Sequence, residues 1–189
     1  MTGFGKTGTH FASGQLQVTP DVMCLSKSLT GGVSAMAITS CTQQVYDAFY
    51  DESILKGFFH GHTYSANPLT CTAAKACIDL LRTDETQEAI KRINQKHEKF
   101  VESLVNNKTI KSSRICGVIC ALEIDVKTDR YSGYRDKLFA AFMDRGVFLR
   151  PLGNVIYILP PFVISDLQLD KIYEAIIEVV GLFDNQEEV

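Results

Sequence analysis

The sequence predicts an α/β fold, because short apolar segments of strand length alternate with longer segments of helix length. Residues 22–25 form a short apolar run typical of a strand, whereas residues 69–82 form a longer apolar segment typical of a helix. After residue 86 the order strand, helix, strand, strand, helix indicates a small α/β layer domain. We therefore expect two domains, residues 1–83 and 84–189, separated where polar residues 83–86 interrupt the apolar pattern.

Composition narrows the class of protein and its partners. The chain has 189 residues, of which 46% are hydrophobic and 22% charged, as is ordinary for a globular protein. Its net charge of −3 gives no electrostatic reason to expect a nucleic acid or an anionic membrane as partner. No apolar run approaches the roughly 20 residues of a membrane span. Residues 1–20 lack a signal-peptide core, so we expect a cytoplasmic protein.

The six cysteines show no paired C-x-x-C spacing of a zinc site. Most of them lie in apolar segments, which predicts small buried hydrophobic residues in a reducing compartment. Residues 114–124 are predicted to form one strand, in which Cys116 and Cys120 share a face.

Two of the predicted helices have clear start signals. Asn67 is a good cap and Pro68 suits the first helical position of a helix that runs to about Arg82. This helix is apolar nearly all round, which predicts burial on most sides. Ser165 and Gln168 form a capping box before the last helix. Between these two, an amphipathic helix is marked by the stripe Ile90, Ile93, His97, Phe100, Val101 and Leu104.

Lys27 is the only cation in residues 21–32, which otherwise combine an apolar strand with small residues. The pattern predicts a buried lysine, whose desolvation requires a partner or a chemical use. Burial lowers the pKa of an amine from about 10.4 and frees the lone pair that Schiff-base chemistry needs. On these residues alone, a lysine whose stem packs while its amine reaches water is the alternative.

Residues 3–8 match the spacing G-x-G-x-x-G of a nucleotide-binding loop. Such a loop requires a strand before it and a helix after it. No strand precedes residue 3, and residues 9–18 lack helical periodicity, so we reject a nucleotide site.

His60 and His62 stand two residues apart, as two metal ligands could. No third ligand lies nearby at a helical or strand spacing, so we expect no metal. Gly61 and the hydroxyl of Thr63, shortly before a helix begins, favour an anion such as a phosphate instead.

Arg150 ends a predicted strand, residues 147–150, and precedes Pro151, which keeps the chain extended. An arginine at such a strand end can bind a carboxylate through two parallel hydrogen bonds. A surface ion pair is the alternative, and the residue pattern does not separate the two.

In order and spacing, these motifs resemble the class III pyridoxal-phosphate (PLP) aminotransferases of fold type I. The matching segments are residues 2–8, 21–32 and 60–69, with a more specific match over residues 147–161. The resemblance covers essentially the whole chain, but only the C-terminal half of such an enzyme. It implies part of the large α/β/α domain, followed by the small C-terminal α/β domain.

The resemblance implies PLP as cofactor and a role for five residues. Lys27 is then the catalytic residue that forms the Schiff base with PLP and shuttles protons. Thr63 contacts the cofactor phosphate, usually from the neighbouring subunit of a homodimer with its active site at the interface. Arg150 binds the substrate carboxylate. Lys6 stands where the family usually has arginine, and His62 replaces a proline of some members, so both are expected to influence substrate binding.

The match over residues 147–161 is to the members of the family that act in biotin biosynthesis. It implies amino transfer to 8-amino-7-oxononanoate, with S-adenosylmethionine or another amine such as lysine as donor. An ω-amino-acid:pyruvate aminotransferase and a folded fragment without catalysis are the alternatives. In the family, the partner of the pyridine nitrogen, the ring-stacking aromatic residue and the main phosphate loop lie upstream. We therefore expect residues 1–189 to be a fragment that is inactive alone.

Overall fold

The structure is a computed structural model that describes residues 2–128 and 133–183. The chain divides into two compact units, Met1–Gln87 and Glu88–Val189. No helix among the described residues has the length and apolar character needed to cross a membrane.

The first unit contains a two-stranded sheet and two α-helices. Its elements are β1 (Val22–Leu25), β2 (Ile38–Cys41), α1 (Gln43–Asp47) and α2 (Pro68–Leu81), with 3₁₀-helices at Ala12–Gln15, Lys27–Thr30 and Ile54–Lys56. β1 and β2 are antiparallel, with Cys24 opposite Thr39. β2 begins only at Ile38, because side chains bind the preceding backbone: Thr30 Oγ1 donates to the Ser34 carbonyl and Ser26 Oγ to the Met36 carbonyl.

The strand before Lys27 is not buried, contrary to the prediction. β1 alternates between exposed and half-buried residues, and β2 is exposed throughout. The cause is that α2 packs on the 3₁₀-helix Lys27–Thr30 that follows β1. A short apolar run in a sequence does not reveal which of its faces is covered.

Helix α2 begins as predicted. The Asn67 side-chain oxygen accepts hydrogen bonds from the N–H groups of Leu69 (3.0 Å) and Thr70 (3.4 Å), and Pro68 is the first helical residue. The prediction of burial on most sides is wrong, since only Ala74 and Leu81 of this helix are buried. The helix packs on the 3₁₀-helix along one side, which leaves other apolar side chains of α2 exposed.

The second unit is a three-stranded antiparallel sheet with helices. Its elements are α3 (Asp84–Ser103), which begins in the first unit, β3 (Ile110–Cys116), β4 (Ile119–Ile124), α4 (Gly133–Asp144), β5 (Val155–Ile158) and α5 (Asp166–Phe183). The strand order is β3-β4-β5. The capping box of α5 forms as predicted: the Ser165 N–H donates to Gln168 Oε1 (2.9 Å) and the Gln168 N–H donates to Ser165 Oγ (3.2 Å).

The single strand predicted over residues 114–124 is a hairpin. Gly117 has a φ of +60°, which turns the chain so that Cys116 pairs with Ile119. Cys120 is therefore buried in β4, where burial raises the pKa of its thiol to about 12, while Cys116 is exposed in β3. Cys24 and Cys41 are exposed as well, so the expectation of six buried cysteines is wrong.

The core of the second unit lies on one face of its sheet. Alternate residues of β4 and β5 are buried there, and the helices contribute further apolar side chains, among them Ile93, Leu138, Phe142, Leu169 and Ile176. The predicted stripe of α3 is confirmed, because Ile90, Ile93, His97 and Phe100 are its buried residues. Full burial of one such aliphatic side chain is worth about 1.5–3 kcal/mol, so this face provides the main stabilisation of the unit.

Candidate functional site

Lys27 has a backbone conformation that few residues other than glycine adopt. Its φ is +54°, in the left-handed region, which disfavours an L-residue by about 1–2 kcal/mol. Lys27 follows β1 directly after Ser26 and opens the 3₁₀-helix that contains the buried residues Leu29 and Thr30. Strain of this kind persists only where the surroundings hold it, and it concentrates at functional sites.

Hydrogen bonds fix the turn around Lys27 on both sides. Ser26 Oγ donates to the Met36 carbonyl at 2.8 Å, and Cys77 Sγ in α2 donates to the Ser28 carbonyl at 3.2 Å. Gly31 ends the 3₁₀-helix with a φ of +63°, and its N–H donates to the same Ser28 carbonyl at 3.1 Å. The lysine therefore projects from a turn whose position is set by α2 and by the chain before β2.

The Lys27 side chain is exposed, which corrects the prediction of a buried amine. Val22 and Cys24 on one face of β1 are exposed, so the strand does not place Lys27 in a buried position. Among the residues that the structure describes, no carboxylate lies within 4.0 Å of its Nζ. The amine is thus available to a ligand.

Lys27 lines an open cleft of about 320 Å³ in the first unit. The rings of Phe4 and Phe11, in edge-to-face contact at 5.6 Å, form an apolar part of its wall, and Cys24 of β1 also lines it. Small-molecule sites have volumes of roughly 300–1,000 Å³, with mostly apolar walls and a few polar groups. The cleft has the size of such a site, and Lys27 is a cationic residue of its lining.

Lys6 lies next to this cleft without lining it. Its loop is closed by the bridge between Gly3 and Phe11, and Phe4 and Gly5 both have positive φ. The Lys6 side chain is half-buried, and burial lowers its pKa. Of the two predicted cations in this unit, Lys27 reaches the cleft directly, and Lys6 belongs to the loop beside it.

His62 and Thr63 lie in a compact turn before α2. The Ser65 N–H donates to the His62 carbonyl at 2.8 Å, and the Tyr64 N–H donates to His62 Nδ1 at 3.1 Å. Since Nδ1 accepts this bond, a neutral His62 ring carries its proton on Nε2. His62 lines a second cavity, of about 470 Å³, together with residues 34–37, and Thr63 is exposed at the turn.

Arg150 lies in the second unit. Residues 147–150 alternate in burial but are not a ladder strand, contrary to the prediction; the Val147 N–H instead donates to the Phe142 carbonyl at 3.0 Å. Arg150 is exposed, and within the described part of the chain it has no ion-pair partner within 4.0 Å. An exposed guanidinium without a partner is free to bind a carboxylate.

The sequence did not identify two contributors to this site. Cys77 was interpreted only as an apolar residue of α2, and nothing in its spacing pointed to Ser28, 49 residues earlier. The cleft wall of Phe4 and Phe11 was also missed. The available signal was the bulky Phe4 between Gly3 and Gly5. Glycines let a ligand approach the backbone closely, and a phenylalanine among them indicates an apolar wall.

Comparison with known proteins gives one consistent family. A model of the family described as aminotransferase class III matches residues 1–180. An adenosylmethionine-8-amino-7-oxononanoate aminotransferase of Synechococcus elongatus is 40% identical over 184 residues, which are 95% of this chain and 42% of that protein. The enzyme of the same name from Geobacter sulfurreducens is 38% identical over 92% of the chain and 40% of its own length.

Solved structures agree with the sequence relatives. The adenosylmethionine-8-amino-7-oxononanoate aminotransferase of Methanocaldococcus jannaschii has a TM-score of 0.82 at 29% identity, over 97% of this chain and 44% of that one. A PLP-bound amine transaminase from an uncultivated Pseudomonas species has a TM-score of 0.85 at 25% identity, over 96% and 43%. The chain thus spans less than half the length of the relatives that it matches.

Proposed function

The chain belongs to the class III aminotransferases, and we propose that it is the Lys27-bearing part of an enzyme that transfers an amino group to 8-amino-7-oxononanoate in biotin biosynthesis. Enzymes of this family are PLP-dependent, and the predicted α/β fold of such an enzyme is confirmed by the structural relatives. The observation that carries the proposal is the strained, firmly held Lys27 at the edge of a ligand-sized cleft. The name shared by the curated relatives supports the choice of substrate.

The residues of the cleft are compatible with PLP. The cofactor requires an amine that can bond to its aldehyde, and the Lys27 amine has no competing ion pair among the described residues. When bound, PLP withdraws electrons from the carbon that carries the exchanged amino group. We assign to Lys27 Nζ the covalent attachment of the cofactor and the movement of the proton at that carbon.

Two further residues are proposed to contact the cofactor or substrate in this unit. Thr63, exposed at its turn, offers a hydroxyl to the cofactor phosphate, from the neighbouring subunit of a homodimer. Lys6 supplies a positive charge beside the cleft. Partial burial disfavours the charged form of Lys6 and lowers its pKa, so its amine gives up a proton more readily than an exposed lysine.

Arg150 is proposed to bind the substrate carboxylate. Its exposed guanidinium can form two parallel hydrogen bonds with a carboxylate, and Pro151 after it is buried and fixes the chain direction. For the amino donor we propose S-adenosylmethionine, which the names of the relatives include. His62, next to Thr63, stands where some members of the family have a proline, and this difference can change which amino donor is accepted. Lysine is therefore the donor to compare with S-adenosylmethionine.

The proposal is tested by joining residues 1–189 to the part of the Synechococcus elongatus relative that the chain does not cover. The joined enzyme is given 8-amino-7-oxononanoate or pyruvate as acceptor, with S-adenosylmethionine or lysine as donor, and the products are identified by mass spectrometry. We expect amino transfer to 8-amino-7-oxononanoate by the joined enzyme and no turnover by residues 1–189 alone. Transfer to pyruvate only would assign the chain to the ω-aminotransferases, one of which, from Paracoccus denitrificans, matches its fold with a TM-score of 0.85 at 26% identity.

A further inference from the structure

We propose that Phe148 is a specificity-determining residue that binds the aliphatic chain of the substrate whose carboxylate is held by Arg150. The inference rests on the proposed function, and it adds an apolar contact to the proposed ionic one. The substrate class that both residues together select is a carboxylic acid with several methylene groups between its carboxylate and its reacting end.

The backbone places Phe148 and Arg150 on one face of the same segment. Residues 147–150 alternate in burial: Val147 and Leu149 are 5% and 7% exposed, whereas Phe148 and Arg150 are exposed. In an extended chain, residues two apart point to the same side and are separated by about 7 Å. A ligand bound by the Arg150 guanidinium can therefore reach the Phe148 ring.

The Phe148 ring is held in place although most of it faces solvent. It is 68% exposed, and Phe139 of α4 contacts it edge-to-face, with ring centres 5.8 Å apart at an angle of 85°. A large apolar side chain that is already fixed loses little conformational entropy when a ligand covers it. The ring therefore offers a prepared apolar surface next to a cation.

Leu152, 43% exposed, also stands two residues from Arg150, whereas the most exposed apolar residues of this unit lie farther along the chain. Val163 and Leu167 are both more exposed than Phe148, yet they flank the start of α5 and not an unpaired cation. Isolated exposed apolar residues are normal on protein surfaces. Phe148 differs in having a ring contact with Phe139 and standing two residues from a guanidinium that has no ion-pair partner among the described residues.

The first test measures ligand binding by residues 1–189, with sodium nonanoate and sodium butanoate as the two ligands. Binding is followed by NMR shifts of the Arg150 side-chain N–H and of the Phe148 ring. A covered methylene adds roughly 3- to 4-fold in affinity, so we expect nonanoate to bind roughly 10-fold or more tightly than butanoate. Phe148→Ala should reduce this preference to about 3-fold or less, whereas Phe148→Leu should retain most of it. Val163→Ala is the matched control on an exposed apolar residue and should change nothing.

The second test uses the joined enzyme described above. Phe148→Ala should raise KM for 8-amino-7-oxononanoate about 10-fold, with kcat nearly unchanged, because the ring contributes binding and touches no reacting atom. KM for pyruvate, which has no methylene chain, should not change.

The outcomes separate this inference from the function on which it rests. If Arg150→Ala weakens both acids but Phe148→Ala leaves the preference for nonanoate intact, the inference about Phe148 is wrong and the role of Arg150 stands. Equal losses for long and short acids on Phe148→Ala would also overturn it, since a general disturbance of Arg150 would then explain the effect. Absence of any NMR shift at Arg150 with either acid would contradict the proposed carboxylate site itself.

Discussion

Cys77 Sγ lies 3.2 Å from the carbonyl oxygen of Ser28 and donates a hydrogen bond to it, across 49 residues of sequence. The contact joins α2 to the 3₁₀-helix that begins at Lys27. A Cβ atom added at Gly31 would lie 3.7 Å from the same sulfur, which shows how closely the helix approaches the end of this turn. The position of Lys27 therefore depends on α2.

Replacement of Cys77 should loosen this turn. Cys77→Ala removes the S–H donor and part of a half-buried contact, so we expect the free energy of unfolding to fall by about 0.5–1.5 kcal/mol in urea titrations. Lys75→Ala is the matched control in the same helix, because Lys75 is exposed, and should stay within about 0.5 kcal/mol. If the two variants are equally stable, α2 does not hold the turn through Cys77.

The left-handed backbone at Lys27 favours glycine for stability, whereas the proposed function requires a lysine there. Glycine adopts a φ of +54° without steric cost, whereas alanine does not, so Lys27→Gly should be more stable than Lys27→Ala by about 1 kcal/mol. Both variants lack the amine, and neither should attach PLP covalently. Thermal unfolding of the two variants provides the measurement, and a less stable glycine variant would show that this backbone is not strained.

His97 gives the second unit a predicted pH dependence. Its Nε2 lies 3.1 Å from the Val118 carbonyl and therefore donates to it, and in the neutral ring Nδ1 then accepts from the Tyr173 hydroxyl at 2.8 Å. Burial lowers the pKa of His97 below its ordinary value, and burial raises that of Tyr173, so the hydroxyl remains a donor. The folded state therefore favours the uncharged imidazole.

The sign of the effect follows from this preference. The stabilisation is fully present above the unfolded pKa of about 6.5 and is lost as the pH falls towards the lower folded value. Urea titrations between about pH 7.5 and pH 5.5 should show falling stability, with a smaller slope in His97→Gln, which does not titrate. At neutral pH, Tyr173→Phe leaves Nδ1 buried without a donor and should reduce stability by about 1–3 kcal/mol. An unchanged slope in His97→Gln would assign the pH dependence to other groups.

Arg150 variants test the proposed carboxylate contact in the joined enzyme. A charge-assisted pair is worth about 1.5–3 kcal/mol, so Arg150→Ala should reduce kcat/KM for 8-amino-7-oxononanoate roughly 10- to 100-fold. Arg150→Lys keeps the charge without the planar fork and should recover only part of the loss. Cofactor absorbance should be unchanged in both. Unaltered kinetics of Arg150→Ala would show that Arg150 does not bind the substrate carboxylate.

Local signals in the sequence predicted several elements correctly. The cap at Asn67, the box of Ser165 with Gln168 and the buried stripe of α3 each depend on neighbours a few residues away, so the sequence contains the necessary information. The hairpin at Gly117 was missed because one glycine between apolar residues also occurs inside strands.

Properties that depend on distant packing could not be predicted in the same way. The exposure of Lys27 and of half of α2 depends on which elements cover them, and the alternation of apolar residues does not identify the covering element. The segment that ends at Arg150 has strand-like alternation in burial but no ladder neighbour among the described residues. The residue types of the candidate site were therefore predictable, while their burial and mutual arrangement were not.

The covalent attachment site of PLP tests the central claim most directly. The joined enzyme is incubated with PLP, reduced with borohydride to fix the bond, digested and mapped by mass spectrometry, with Lys27→Ala as the control. We predict a pyridoxyl group on Lys27 and none in the control, because Lys27 lines the cleft on a strained backbone and its amine has no ion pair among the described residues. A pyridoxyl group on Lys6, or on any other lysine while Lys27 remains unmodified, would contradict the assignment of Lys27 as the catalytic residue.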